Sequence, residues 1–306
     1  MKRILLATAL MTCVSFGFAQ KDTTDIFKMM DEGDKKAAAS ATDFTTATFK
    51  STRVIQGPSI ETIGQGNMDF RLLHRFAPLK GGGEQMFGLD GPATIRFGLD
   101  YGITNRLMVG IGRSNYQKEF DGFVKYKLLR QSTGKIKMPV TITYIGTIMD
   151  ATDDAYLKAS NMSGTDAISY AHAFAIGRKF NDVFSFQITP TLVHFNKVTD
   201  STVSTNNFFS LGMQTRLRIS KRVNFTAEYY YQFNKLSGSV NALSLGFDFE
   251  TGGHVFQLHF TNAVGMTERT FITQTTEKWG NSTRFGFNLT RIFSIVKPKG
   301  GVAKAG

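Results

Sequence analysis

The chain has 306 residues, 42% of them hydrophobic, and a formal net charge of +12 at pH 7. Its mean hydropathy of −0.14 argues against a helical membrane protein, which needs long uninterrupted apolar segments. Phe (28) and Gly (30) are frequent and Pro (6) is scarce, which suits many strands joined by turns. An excess of basic over acidic residues is also typical of nucleic-acid-binding proteins. The predicted export signal at the N-terminus argues against nucleic acid as a partner.

Residues 1–19 have the features of a secretory signal peptide. Two basic residues precede a mostly apolar stretch, and small residues stand before a cleavage point after Ala19. Cys13 permits an alternative, lipid attachment, although Thr12 is a poor residue before a lipid-modified cysteine. Cleavage after Ala19 leaves a mature chain without cysteine, and therefore without disulfide or thiol chemistry.

Two segments precede the regular strand pattern. Residues 20–47 are polar, with mixed charges and an Ala-, Ser- and Thr-rich end, which predicts a flexible periplasmic leader. Residues 48–65 have a strand-like pattern that Gly57 and Pro58 interrupt. We expect this extra segment to lie at the periplasmic face or inside the barrel that the rest of the sequence predicts.

From residue 67 onward, apolar and polar residues alternate with the period of two that is typical of strands. The last segment, for example, places Phe285, Phe287 and Leu289 on one face and Asn288 and Thr290 on the other. Twelve such strands are predicted, at residues 67–76, 93–101, 106–114, 120–130, 138–148, 168–179, 183–195, 207–220, 224–234, 240–250, 254–264 and 281–295.

The connections between these strands alternate in length. Short turns are predicted near residues 102–105, 131–135, 181–182, 220–222 and 251–253. Mostly longer connections fall at residues 77–92, 115–119, 150–166, 196–205, 235–239 and 265–280. Outer-membrane barrels have short periplasmic turns and long external loops, and an even number of strands.

The predicted fold class is therefore all-β: a single antiparallel transmembrane β-barrel of about 12 strands over residues 66–296, in the outer membrane. A basic tail follows at residues 297–306. The strand pattern leaves one alternative architecture open, a soluble secreted β-sandwich that buries the Phe-rich faces between two sheets.

Several short motifs resemble an uncharacterised β-barrel family of secreted Bacteroidetes proteins, over essentially the whole mature chain. They are FKSTR at 49–53, HRF at 74–76, HVFQL at 254–258, TN at 261–262 and GFNLTRIF at 286–293. The resemblance implies an outer-membrane location and no assigned activity. The closing strand also resembles the signal that the barrel assembly machinery reads, except that Arg291 replaces an aromatic residue and the basic tail follows.

Charged residues recur on the inward face of the predicted strands, because Arg or Lys facing lipid at midplane costs about 2–4 kcal/mol. One interpretation is a pore or site that favours a small anionic solute, and the other is a salt-bridged network that fills a narrow barrel. The lumen-facing candidates are Asp69, Arg71, Arg75, Arg96, Asp100, Asp121, Lys125, Lys127, Arg216, Arg218, Glu228, Asp248 and Arg284.

The sequence predicts no catalytic, cofactor or metal site. The five histidines (His74, His172, His194, His254 and His259) share no metal-ligand spacing, and the first three fall on the outward face. An enzyme acting on lipid or peptide remains an alternative, but no Gly-x-Ser-x-Gly motif occurs. The expected partners are outer-membrane lipid, the barrel assembly machinery and a small anionic solute.

Overall fold

A computed structural model describes residues 42–280 and 282–296, and twelve of its strands close into one antiparallel barrel. Consecutive wall strands pair with each other, and the last pairs with the first. The wall strands are β2 (Asn67–Pro78), β3 (Thr94–Gly102), β4 (Leu107–Ser114), β5 (Glu119–Leu129), β7 (Thr141–Ala151), β8 (Ile168–Lys179), β9 (Phe184–Phe195), β10 (Asn207–Arg218), β11 (Val223–Gln232), β12 (Ala242–Thr251), β13 (His254–Thr261) and β14 (Arg284–Ser294).

The predicted fold class is confirmed, and the β-sandwich alternative is wrong because the sheet closes on itself. Every predicted strand is present, with ends that differ by at most three residues. The alternation sets the two faces. On β8, Ala173 and Ala175 are buried in the lumen whereas His172 and Phe174 are exposed on the outside.

The connections define two ends of the barrel, which we name the turn end and the loop end. Tight turns at the turn end include the one before β9, where the Asn181 side chain accepts hydrogen bonds from the Val183 and Phe184 amides. Gly253 has a φ of +100° in another of these turns, a conformation that glycine adopts without steric cost.

One connection at the turn end is longer than predicted. Residues 130–140 contain β6 (Ser132–Gly134), which pairs with β1 (Thr42–Phe44) in a separate two-stranded sheet. Strand β1 falls within the predicted leader. The predicted signal peptide, with Cys13, the leader up to residue 41 and the basic tail at 297–306 lie outside the described residues.

The loop end carries the short helices. They are a 3₁₀ segment at Leu79–Gly88, another at Tyr116–Lys118, α1 (Asp154–Ala159), a 3₁₀ segment at Gly164–Ala167 and α2 (Glu268–Thr273). In the part of the chain that the structure describes, none of the helices is long and apolar enough to cross a bilayer. Helix α2 differs from the others because all six of its residues are buried.

The outer surface has an aromatic patch over the seam between β14 and β2. His74 stacks on Phe287 with ring centres 5.0 Å apart, and Phe76 stacks on Phe285 at 5.7 Å. Phe260, which is 45% exposed, packs against the Phe285 ring. These rings belong to the outward face of their strands, as predicted for the side that contacts lipid.

Candidate functional site: the polar lumen

Eleven of the thirteen charged residues predicted to face the lumen are buried there. Arg284 is half-buried near the loop end of β14. Arg218 has the inward parity of β10, but it is the last residue of that strand and is exposed at the rim. The alternation of apolar and polar residues predicts which face of a strand a side chain is on. It does not predict where along the strand the side chain becomes exposed to solvent.

Two arginines of the wall form ion pairs with wall carboxylates. Arg71 donates to Asp69 at 2.6 Å, and its Nε lies 3.7 Å from Asp100. Arg96 donates from Nε to Asp121 at 2.8 Å and makes a second contact through Nη2. Breaking a buried pair of this kind by removing one partner costs about 3–5 kcal/mol, because the other charge is left without compensation.

Residues 45–65, which we name the inner segment, enter the barrel from the turn end. The segment adds no strand to the wall and forms a tight hairpin in the lumen, in which the strand-like pattern at 48–65 corresponds to one isolated bridge between Arg53 and Pro58. The Val54 amide donates to the Gly57 carbonyl at 2.9 Å, and the Ser59 amide donates to the Thr52 carbonyl at 3.0 Å. Every residue from 51 to 60 is buried.

Side chains of the wall satisfy the backbone of the inner segment, since a buried segment outside a sheet cannot leave its amides and carbonyls without partners. Four wall amides donate to its carbonyl oxygens at 2.6 to 3.4 Å. The donors are Gln187 and Gln214 to Pro58, Gln257 to Val54, and Asn288 to Ile55.

Glu228 holds the tip of the hairpin. Its carboxylate accepts backbone hydrogen bonds from Ile55 at 3.3 Å, Gln56 at 2.6 Å and Gly57 at 3.2 Å. A Cβ atom at Gly57 would lie 1.7 Å from the Tyr230 hydroxyl oxygen, so only glycine fits this turn against the wall. The turn therefore presents three N–H groups to one carboxylate.

Several wall cations also contact the inner segment, among them Arg71, which donates to the Ser51 and Thr52 hydroxyls. Lys125 donates to the Thr52 carbonyl at 2.9 Å, and Arg216 donates to the Ala47 carbonyl at 3.0 Å. Arg75 donates to the Gln56 side-chain oxygen at 2.9 Å, and Lys127 lies 3.6 Å from the Glu61 carboxylate.

A second closure comes from the loop end, where the connection between β13 and β14 folds into the lumen. We name residues 262–275, which contain α2 and are mostly buried, the folded-in loop. Arg269 of α2 donates to Glu119 at 2.6 Å, and Thr267 donates to the same carboxylate. Phe271 packs edge-on against Tyr230, with ring centres 4.9 Å apart. The sequence predicted an external loop here.

The inner segment and the folded-in loop meet inside the barrel. Arg53 of the first lies 3.7 Å from Glu268 of the second. A cavity beside this pair, lined also by Thr52 and Lys125, has room for about one water molecule. The inner segment and the folded-in loop therefore occupy the described lumen from its two ends and touch inside it.

Sequence reasoning missed the residues that make the second closure. Glu119 has the same inward parity as Asp121, but it stands one residue before the predicted strand. Glu268 and Arg269 lie in a polar stretch that resembles any solvated loop. The loop is buried partly by apolar packing, with Phe271 and Ile272 in one cluster with wall residues, and partly by the ion pairs of Glu268 and Arg269. Such a mixed segment has no regular apolar pattern that sequence analysis could detect.

The histidines do not form a metal site. In residues 42–280 and 282–296, no three metal-ligating side chains lie together. His172 contacts the Tyr144 hydroxyl at 2.7 Å, and His194 contacts the Asn207 side chain at 2.8 Å, both on the outward face. His259 is buried on the inward face of β13.

Residues 49–293 match the model of a family described as a membrane bound beta barrel domain (DUF5777). Among solved structures, the NanC porin is similar, with 10% identity and a TM-score of 0.48 over 74% of this chain and 99% of that chain. The KdgM porin has 11% identity and a TM-score of 0.44 over 74% and 99%. The COG4313 outer membrane channel from Pseudomonas putida F1 has 9% identity and a TM-score of 0.43 over 76% and 98%. No match is found among curated protein sequences.

Proposed function

Since the chain belongs to the family of membrane bound beta barrel domains and is an outer-membrane β-barrel, we propose that its role is passive and non-enzymatic, with a lumen that is closed at rest. The observation that supports this proposal is the filling of the lumen. The inner segment occupies it from the turn end and the folded-in loop from the loop end, and the two are in contact. Such a barrel serves either membrane structure or gated passage of a solute.

The proposed partners follow from the two faces of the wall. Outward side chains such as Phe97 and Phe209, each more than half exposed, are suited to contact with outer-membrane lipid. The inward cations favour a small anionic solute. Insertion by the barrel assembly machinery, export by a signal peptide at residues 1–19 and an origin in Bacteroidetes belong to the same proposal and have only the support of the sequence.

An enzyme acting on lipid or peptide has less support. Nucleophilic hydrolysis needs a serine hydroxyl beside a histidine that a third polar group orients. In the described residues, the outward His172 and His194 contact a tyrosine and an asparagine. Neither contact supplies the nucleophile that such chemistry requires.

Conductance and extraction test this proposal. The purified protein should require detergent for extraction and migrate differently on a gel before and after heating. In planar bilayers it should show no lasting open-channel current at low voltage, because both closures are in place. A steady current in the unmodified protein would contradict a lumen that is closed at rest, and recovery in the soluble fraction would contradict the membrane location.

A further inference from the structure

Four cations of the barrel wall contact the inner segment and have no carboxylate partner in the described part of the wall, although Arg75 also donates to the Asn288 side chain and Arg216 to the Asp182 carbonyl. In residues 42–280 and 282–296, Arg75, Lys125, Lys127 and Arg216 have no wall carboxylate within 4.0 Å. Lys127 faces Glu61 of the inner segment, and the other three donate to its oxygen atoms. Oxygen atoms of the inner segment thus contact these cations at the positions that the oxygen atoms of an anionic ligand would occupy.

Three carboxylates of the wall face the same space without a wall cation. Glu228 accepts from the hairpin tip, Asp248 accepts from Gln257 at 2.9 Å, and Glu250 lies 2.7 Å from Lys50 of the inner segment. Arg71 lies between Asp69 and Asp100, and Arg96 pairs with Asp121, so the inward wall charges around the inner segment balance at six cations and six carboxylates. The positive charge is local to the four cations that contact the inner segment.

The rim at the turn end supplies a net positive charge. Among the described residues, six exposed cations stand there on turns or on the inward face, against two exposed carboxylates, Asp43 and Asp182. The six cations are Arg106, Lys135, Lys137, Arg218, Lys221 and Arg222, whereas Arg178 and Arg291 face outward and stack on Phe180 and Phe293. A hydrogen bond from Lys179, with the charges of Lys179, Arg218 and Arg216, holds the pKa of Asp182 below its ordinary value. A mouth lined by one sign of charge concentrates ions of the opposite sign.

The inner segment is held by contacts that can be broken without opening the wall. It contributes no strand to the barrel, and side chains of the wall hold it. One end joins the wall at Gly66, next to the exposed Gln65. The other end continues into β1, which pairs with β6 outside the barrel sheet, and the Thr45 amide donates to the Gln131 carbonyl at 2.9 Å. Departure of the inner segment leaves all twelve strand pairings intact.

We propose that the inner segment is a displaceable gate over an anion-binding vestibule at the turn end, which takes a small carboxylate-bearing solute in place of Glu61 and the carbonyl oxygens of the segment. This inference rests on the proposed function, since it names the solute class and the gate of the same lumen. The folded-in loop closes the other end, so the vestibule opens toward the side of the short turns.

A cysteine beneath the gate tests the proposal. Thr143 is fully buried, donates to the Ile60 carbonyl of the inner segment and lies opposite Lys127 in the wall. Thr143→Cys is made with Cys13, the only cysteine of the chain, replaced by Ser. Ser220→Cys, in an exposed turn, is the matched control. The reagents are an anionic and a cationic methanethiosulfonate, with rates normalised to a free small thiol.

In the intact barrel, Thr143→Cys should react at least ~100-fold more slowly than Ser220→Cys, because labelling needs local opening. Deleting residues 45–64 should bring the two rates to within about tenfold and make the anionic reagent faster than the cationic one by about tenfold. Citrate should then slow labelling more than NaCl at the same ionic strength. Adding Lys127→Gln and Arg216→Gln should remove both the anionic preference and the citrate effect.

A second route covers failure of the deletion variant to assemble. A protease site inserted at the exposed Gln65 leaves the gate in place during folding and frees it afterwards. Labelling of Thr143→Cys should rise after the cut, and rise further in citrate.

Continued protection after the gate is removed or cut, or faster labelling by the cationic reagent, would overturn the vestibule. Either result would leave the proposed closed, passive barrel standing, because that proposal depends on the intact protein.

Discussion

Glu228 is the residue on which the position of the hairpin tip depends. It is 2% exposed and accepts the amides of Ile55, Gln56 and Gly57. Glu228→Ala leaves three buried donors without an acceptor, at about 1–3 kcal/mol for each donor that finds no new partner. We expect the free energy of unfolding in lipid vesicles, measured by urea titration with circular dichroism, to fall by about 3 kcal/mol or more.

The matched control for this substitution is Glu84→Ala, which removes an exposed carboxylate at the loop end. It should change the free energy of unfolding by less than about 0.5 kcal/mol. Equal unfolding midpoints for the two variants would show that the Glu228 carboxylate does not anchor the hairpin.

The hydrogen bond between the Ser237 amide and the Asp200 carboxylate, in the loops at the loop end, should depend on pH. The carboxylate accepts from the Thr202 hydroxyl and amide and from the Ser237 amide at 2.6 Å, and these hydrogen bonds lower its pKa. Because the folded pKa is depressed, the stabilisation is complete above the unfolded value of about 4 and is lost as pH falls through the lower folded value. The NMR shift of the Ser237 amide should move in that acidic range, and Asp200→Asn should abolish the movement.

At the scale of elements, a buried ion pair fixes α2 to the barrel wall. Arg269 and Glu119 are each 1% exposed and lie 2.6 Å apart. Arg269→Met leaves the Glu119 charge buried alone, so we expect a loss of about 3–5 kcal/mol in the free energy of unfolding. Adding Glu119→Gln should recover part of that loss. A double variant that is destabilised by the sum of the single losses would show that the pair is not coupled.

The wall strands were predictable and the two closures were not, for a physical reason. A wall strand separates lipid from a polar interior, so its sequence must alternate, as β8 does with Ala173 and Phe174. The inner segment is enclosed by wall side chains on all sides, both polar ones and an apolar cluster of Ile145, Ala173 and Ala175. It has no face toward lipid, so a strand-like pattern at 48–65 could not show that wall side chains replace a neighbouring strand. Most of the inward charges of the candidate site were predictable from parity, but their partners in the closures were not.

At the scale of the whole molecule, stability depends on keeping charge off the outer surface. Phe247 lies at the middle of β12, faces outward and is 43% exposed. Phe247→Arg should destabilise the folded barrel in lipid vesicles by about 2–4 kcal/mol, since an Arg at midplane meets hydrocarbon. Ile103→Arg, in an exposed turn at the rim, should cost about 0–1 kcal/mol. Equal costs would contradict the proposed depth of β12 in the bilayer.

The pairing of β14 with β2 has a consequence for how the molecule is put together. The barrel closes by pairing its first and last wall strands, β2 and β14, so closure requires that every strand between them is already paired. The hairpin of the inner segment directly precedes β2, which is one strand of this closing pair. The pairing of β14 with β2 therefore encloses the inner segment as the barrel closes. In a circularly permuted chain whose first and last strands paired elsewhere, the inner segment would have to enter a barrel that is already closed.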